Sequence, residues 1–148
     1  MSTKSTIQTL INTNLASASS ISAVEHRAVV DSLLNELFPT TTNYTLATGD
    51  FQYNLNFTKS GNFCLVQGFF KNGSAFSING ENLFTIPNSL YYPKETVKLF
   101  GFLSTTPTGK GLYLGNTGDA FAPNQFKLLN GIGAGDILQI NETYIVND

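Results

Sequence analysis

His26 is the only histidine in the 148 residues, so a His-based triad, a His general base or a His-containing metal cluster would have to pass through it. It lies inside the helical pattern that follows Ser22, beside Val30, Leu33 and Leu37 on the apolar side, where a histidine bonded to a backbone or to a neighbouring chain is expected. Cys64 stands between Phe63 and Leu65 in a strand-like run with no histidine nearby, and reads as a small buried apolar residue. Gly131-Ile132-Gly133-Ala134-Gly135-Asp136 is rich enough in glycine to cradle a phosphate. It lacks the Lys-Ser/Thr that such a loop requires and precedes a strand pattern, so it reads as a hairpin turn. Asp50, Asp119 and Asp136 sit beside glycine or in turns, at spacings that match no calcium loop. The sequons at Asn43, Asn56, Asn72 and Asn141 are chance matches in a chain rich in Asn and Thr. No convergent acid, base and nucleophile can be assembled from this inventory. The expectation is a protein that is not an enzyme, with no catalytic residue, no metal site and no cofactor.

Binding chemistry is better represented. Tyr91 and Tyr92 precede Pro93, and aromatic faces beside a rigid turn can stack on a sugar or on a partner side chain, which makes the pair a possible ligand contact. The polar loops 105–110 and 115–119 are further places where a receptor could be touched. Arg27 carries five donors and a permanent charge at a position that, by helical geometry, falls among apolar residues, so it needs acceptors.

These residues are carried by three zones: 1–20 a leader, 21–39 a helix, and 44–148 a β body. The leader is rich in Ser, Thr and Asn, with isolated apolar anchors Ile7, Leu10, Ile11 and Leu15 at helix spacing. A short helix, or an extended arm that orders on a partner, fits that pattern. Ser22 with Glu25 three residues later is a capping box that starts a helix, and Pro39 stops it near Leu37, a length of about 24 Å. Ala23, Val29, Val30, Leu33, Leu34, Leu37 and Phe38 share one broad face. Within it, Ala23, Arg27, Val30, Leu34 and Leu37 have the alternating spacing of a coiled-coil seam, which predicts an oligomer interface. Two heptads cannot hold a coiled coil alone, so the helix must lean on its own body, on sister chains or on a larger particle.

From Tyr44 the period changes to two: Phe51, Tyr53, Leu55 and Phe57 alternate with polar residues, and Lys59-Ser60-Gly61-Asn62 turns the chain into Phe63–Phe70. Turn signals every 8–12 residues then separate apolar runs at 76–78, 83–86, 97–103, 112–114, 126–129, 137–140 and 143–146. The expected fold is mainly β, an antiparallel, jelly-roll-like β-sandwich of eight or nine strands preceded by the helix and an extended N-terminal arm.

Composition narrows the function classes. Eight Lys and Arg against ten Asp and Glu leave a net charge of −2 with no basic stripe, so no nucleic-acid face is expected. Charged residues are 12%, about half the usual share, and the surface is instead Ser, Thr, Asn and Gly, which suits packing against other subunits or hydrogen bonding to glycans. A single cysteine makes the fold independent of an oxidising compartment. Neither a secretory leader nor a membrane-inserting segment is read in the chain.

The leader and helix, Thr6-Ile7-Gln8-Thr9-Leu10-Ile11 through Ile21-Ser22-Ala23-Val24-Glu25-His26-Arg27, resemble the N-terminal segment of tailed-bacteriophage fibre and appendage proteins, in which a turn-helix joins a virion-bound arm to a trimeric body. Phe84-Thr85-Ile86-Pro87, Tyr92-Pro93 and the closing Glu142-Thr143-Tyr144-Ile145-Val146 are similar to the small β-sandwich heads of phage receptor-binding proteins. Ile86 and Tyr92 stand where that pattern has Leu and Arg, and no repetitive shaft separates helix from head. The resemblance therefore favours a stubby fibre or decoration protein of the crAss-like phage type. It implies a homotrimeric, non-enzymatic virion component made in the host cytoplasm. Ile7, Leu10, Ile11 and Leu15 would then anchor it to capsid or tail proteins, and a host surface glycan is a possible further partner.

Overall fold

The computed structural model describes residues 8, 9, 12, 22–106 and 108–147. Ile7, Leu10, Ile11 and Leu15, the expected anchors, lie outside them, while Gln8, Thr9 and Asn12 are helical. The chain divides into two compact units, Met1–Thr40 and Thr41–Asp148.

In the first unit, helix α1 spans Ala23–Leu37. The capping box forms as its sequence requires. Ser22 Oγ accepts from the Glu25 amide at 3.3 Å, and the Glu25 carboxylate accepts from the Ser22 amide at 3.1 Å and from its hydroxyl at 2.8 Å. These bonds hold the Glu25 carboxyl below its ordinary range, the Ser22 hydroxyl contributing most. Phe38 leaves helical geometry ahead of Pro39, and its amide closes the last turn on the Leu34 carbonyl at 2.9 Å. Leu34 is buried, whereas Val24, Val29, Leu33 and Leu37 stand exposed.

The second unit is an antiparallel sheet of eight strands: β1 (Thr40–Leu46), β2 (Phe51–Ser60), β3 (Phe63–Asn72), β4 (Asn82–Thr85), β5 (Val97–Leu103), β6 (Gly109–Leu114), β7 (Gln125–Leu128) and β8 (Ile137–Ile145). Their order is β1-β2-β3-β8-β5-β6-β7-β4. β1 starts four residues earlier than the Tyr44 boundary expected from the alternation. The two final runs, 137–140 and 143–146, merge into β8, and the run 76–78 contributes only a bridge between Ile78 and Ile132. Gly61-Asn62 makes the tight β2–β3 turn with Gly61 at φ +54°, where a Cβ would be disfavoured.

Although β1 and β4 are the two ends of this order, Tyr44 of β1 meets Phe84 of β4 at 5.4 Å between ring centroids, and Tyr53 of β2 meets the same ring at 4.9 Å. The sheet therefore curls until its ends face each other across one core, giving a sandwich-like half-barrel. Phe57 sits at the centre of the closure, within 5.4–6.1 Å of Tyr44, Phe84, Tyr91 and Phe126. Such ring pairs contribute roughly 0.5–1.5 kcal/mol each beyond the area they bury. Leu55, Val66, Phe70, Leu112, Leu114, Leu128 and Leu138 fill the rest of the core.

Two features of the core have measurable consequences. Gly68 lies in β3 at φ +144°, and a Cβ there would fall 1.9 Å from the Asn54 carbonyl oxygen on β2. Gly68→Ala is expected to lower unfolding free energy in a denaturant titration by about 1–3 kcal/mol, the cost of a strained backbone site, or more if the strands must separate. Burial also raises the Cys64 thiol from 9.0 to about 11 and raises the Tyr144 phenol above 10.0. Both groups hold their protons more tightly folded than unfolded. Their contribution is thus intact below about pH 9 and is lost as pH rises through the folded values. Cys64→Ala should flatten the fall in stability between pH 9 and 11 and leave the loss that sets in above about pH 10, where the unfolded tyrosine begins to titrate.

Candidate functional site

The strongest site candidate is the outer face of the three central strands, β3, β8 and β5. Along β8, Leu138, Ile140 and Tyr144 turn inward to the core, so Gln139, Asn141, Thr143 and Ile145 face outward. The register carries outward residues into rows. Phe63 pairs with Ile145, Leu65 with Thr143, Gln67 with Asn141, and Phe69 with Gln139, which pairs in turn with Phe102. Phe100 follows Phe102 on the same face of β5. Phe63, Phe100, Phe102 and Ile145 are 50–59% exposed. A shallow groove of about 440 Å³ is lined by Phe69 of β3, by Phe100 and Phe102 of β5, and by Gln139, Asn141 and Glu142 of β8 between them.

Polar atoms within this face are already arranged. Gln67 Nε2 donates to Asn141 Oδ1 at 3.0 Å, tying two neighbouring strands through their amides. On β6, Gly111 and Gly109 stand opposite Phe100 and Phe102, so no side chain there covers the rings. The face offers aromatic and aliphatic surface with a few amide donors and acceptors and the Glu142 carboxylate in its groove.

A second exposed aromatic lies on the loop between β6 and β7. Phe121 is 61% exposed yet tightly placed. Asp119 Oδ1 accepts from the Phe121 and Ala122 amides at 2.8 and 3.0 Å, and Asp119 Oδ2 accepts from Thr96 Oγ1 at 2.8 Å and from the Tyr113 hydroxyl. Tyr113 packs edge-on to the Phe121 ring, with Lys127 Nζ 3.4 Å from the ring centroid on β7. The Tyr113 hydroxyl, then Thr96 and the two amides, hold the Asp119 carboxyl well below the usual carboxylate range. The same contact raises the Tyr113 phenol.

The residues singled out in the sequence are scattered. Tyr91 is fully buried, its hydroxyl 2.7 Å from Thr42 Oγ1 and its carbonyl accepting from Tyr144 Oη at 2.9 Å, so it offers no face to a ligand. Tyr92 is half-buried and packs against the same core. The expectation of an exposed tyrosine pair is corrected by the 3-10 turn Ser89–Tyr91, which rotates the first ring inward. On α1, Arg27 is exposed, Val30 and His26 are half-buried, Leu34 is buried and Leu37 is exposed, while Ala23 opens the helix. A hollow of about 250 Å³ beside α1 is lined by Glu25, His26, Val29 and Val30. Asp136 closes its own turn by accepting from the Gly133 amide at 2.7 Å. Asn72, at the head of a formal sequon, is fully buried, with its side chain bonded to Phe76, Gly133 and Ser74. Among the described residues, no group of three His, Cys, Asp or Glu could hold a metal, and no helix is long and apolar enough to cross a membrane.

The outer face was missed by a strand reading that looked for one apolar side. The signal was available. Phe63-Cys64-Leu65-Val66 and Leu99-Phe100-Gly101-Phe102-Leu103 are continuous, not alternating, so both faces of β3 and β5 carry apolar groups. For the 115–124 loop, removing the carboxylate is the informative change. Asp119→Ala should leave the sheet amides protected in hydrogen exchange while the Phe121 and Ala122 amides exchange faster, and Asp119→Asn should give an intermediate result.

No family model matches the chain, and neither does any curated protein. Among solved structures, it is similar to the receptor binding protein (gp15) of Listeria phage PSA, with a TM-score of 0.52 over 100% of this chain and 99% of that one. Sequence identity is 15%, so what the two chains share is the fold, and they share it along their whole length.

Proposed function

We propose that this protein is a structural component of a tailed-phage virion, a short trimeric fibre or decoration protein held through its N-terminal segment and presenting the β unit as a head. The observation that carries this reading is the end-to-end fold likeness to a phage receptor-binding protein, in a chain whose leader and helix independently resemble phage appendage segments. The exposed apolar side chains of α1 support assembly, because Val24, Val29, Leu33 and Leu37 gain from burial only against another surface. Arg27 lies in the same helix, and in a seam its guanidinium would take acceptors from a neighbouring chain.

The alternative is a head that binds a host receptor or carbohydrate. It is favoured by the rigid presentation of Phe121 beside Lys127, since an exposed ring held by its own backbone loses little freedom on stacking against a sugar. A glycan array separates the two: binding abolished by Phe121→Ala supports adhesion, and no binding leaves decoration.

Light scattering on the full chain at micromolar concentration should give a particle three times the 16.0 kDa chain mass. A monodisperse monomer would reject the trimer. Removing residues 1–20 is expected to leave the β unit folded while abolishing incorporation into the particle, and Arg27→Ala should lower the dissociation midpoint more than Lys110→Ala.

A further inference from the structure

We infer that the outer face of β3, β8 and β5 is where copies of this chain pack on one another, so that the heads, and not the helices alone, hold the assembly together. The inference rests on the trimeric reading above and names a surface for it.

Four large apolar side chains, Phe63, Phe100, Phe102 and Ile145, stand half or more exposed on the middle of a sheet, not at its ends. With aromatic side chains burying about 150–250 Å² each, these four and the partly covered Leu65 and Phe69 present on the order of 500 Å² of apolar surface. Adding Gln67, Gln139, Asn141 and Thr143, all exposed, brings the face near the roughly 800 Å² per partner of a stable protein interface. A single sugar ring would cover a small part of this.

Charge points to a second copy as the occupant. The outward rows from Phe63–Ile145 to Phe69–Gln139–Phe102 contain no ionised side chain; Glu142, mid-β8 opposite Val66, lines the groove, Lys71 and Lys98 continue the outward sides of β3 and β5, and Lys94 and Glu95 flank Ile145. Enrichment in aromatic residues with depletion of charge across the outward rows is the compositional signal of a buried subunit interface, whereas partners that come and go meet on surfaces no more apolar than average. Around a threefold axis, three such strips would form one closed apolar core, with the Gln67–Asn141 pair of each chain able to bond its neighbour.

The test is sedimentation velocity on the full chain across a concentration series, comparing wild type, the double variant Phe100→Glu/Phe102→Glu and the control Phe121→Glu. Two interface anchors replaced by carboxylates are expected to weaken assembly by about 100-fold or more, with the control unchanged. An oligomer that survives the double change with unaltered affinity overturns this inference and leaves the trimeric reading standing. A wild-type monomer overturns both. Should the double variant fail to fold by circular dichroism, hydroxyl-radical footprinting of the wild-type oligomer decides. Phe63, Phe100 and Phe102 should be protected while Phe121 is labelled, and equal labelling would place the contact elsewhere. Protection seen only in intact particles, and not in the isolated protein, would assign the face to a different virion protein and overturn the inference.

Discussion

The contact of Phe84 with Tyr44 and Tyr53 is the constraint from which the β unit takes its form. An open sheet of eight strands would leave the inner side chains of both halves in water. Bringing the last strand in the order against the first two encloses Leu55, Phe57, Phe70, Leu114 and Phe126 in one core. Curling of this kind needs close approaches that only small residues allow. Gly68 lets β3 meet the Asn54 carbonyl, and the Cβ missing at Gly101 would otherwise strike Leu138 and the Gln139 carbonyl at 2.8 Å. Among the described residues of the core, Asn72 and the Tyr91 and Tyr144 hydroxyls find neutral partners.

Once the sheet is closed, two kinds of surface remain, and they are built differently. Loop tips are fixed by local polar groups: Asp119 gathers two backbone amides and two hydroxyls, and Asp136 and Asn72 do the same for the turns around Gly133. These bonds place Phe121 at an exposed position at little entropic cost. The outer face of the central strands has no such local organiser beyond the Gln67–Asn141 pair, and its shape follows from strand register. A head with an aromatic presented on a polar-braced loop and an apolar face low in charge is consistent with a part that is both assembled and outward-looking, as the proposed virion role requires.

How much of this was legible in the residues depended on the range of the interactions involved. The helix was read to within a residue because its signals are local: Ser22 and Glu25 are three positions apart, and Pro39 acts on its immediate neighbour. The β2–β3 hairpin was equally readable from Lys59-Ser60-Gly61-Asn62 between two patterned runs. Tyr91 was misplaced because its burial depends on Phe57, Thr42 and Tyr144, which are far from it in sequence. The apolar rows were missed for the same reason, since Phe69 and Phe102 become neighbours only through Gln139 of a third strand.

The sequence by itself thus determined the class of the protein: a capped helix joined to a mainly β body, low in charge. Propensity, capping and turn chemistry act over a few residues and survive without a partner in space. Tertiary structure alone decided which aromatics close the core and which stand outside it, because each strand has two faces and only pairing register and curvature say which one meets the other half of the sheet.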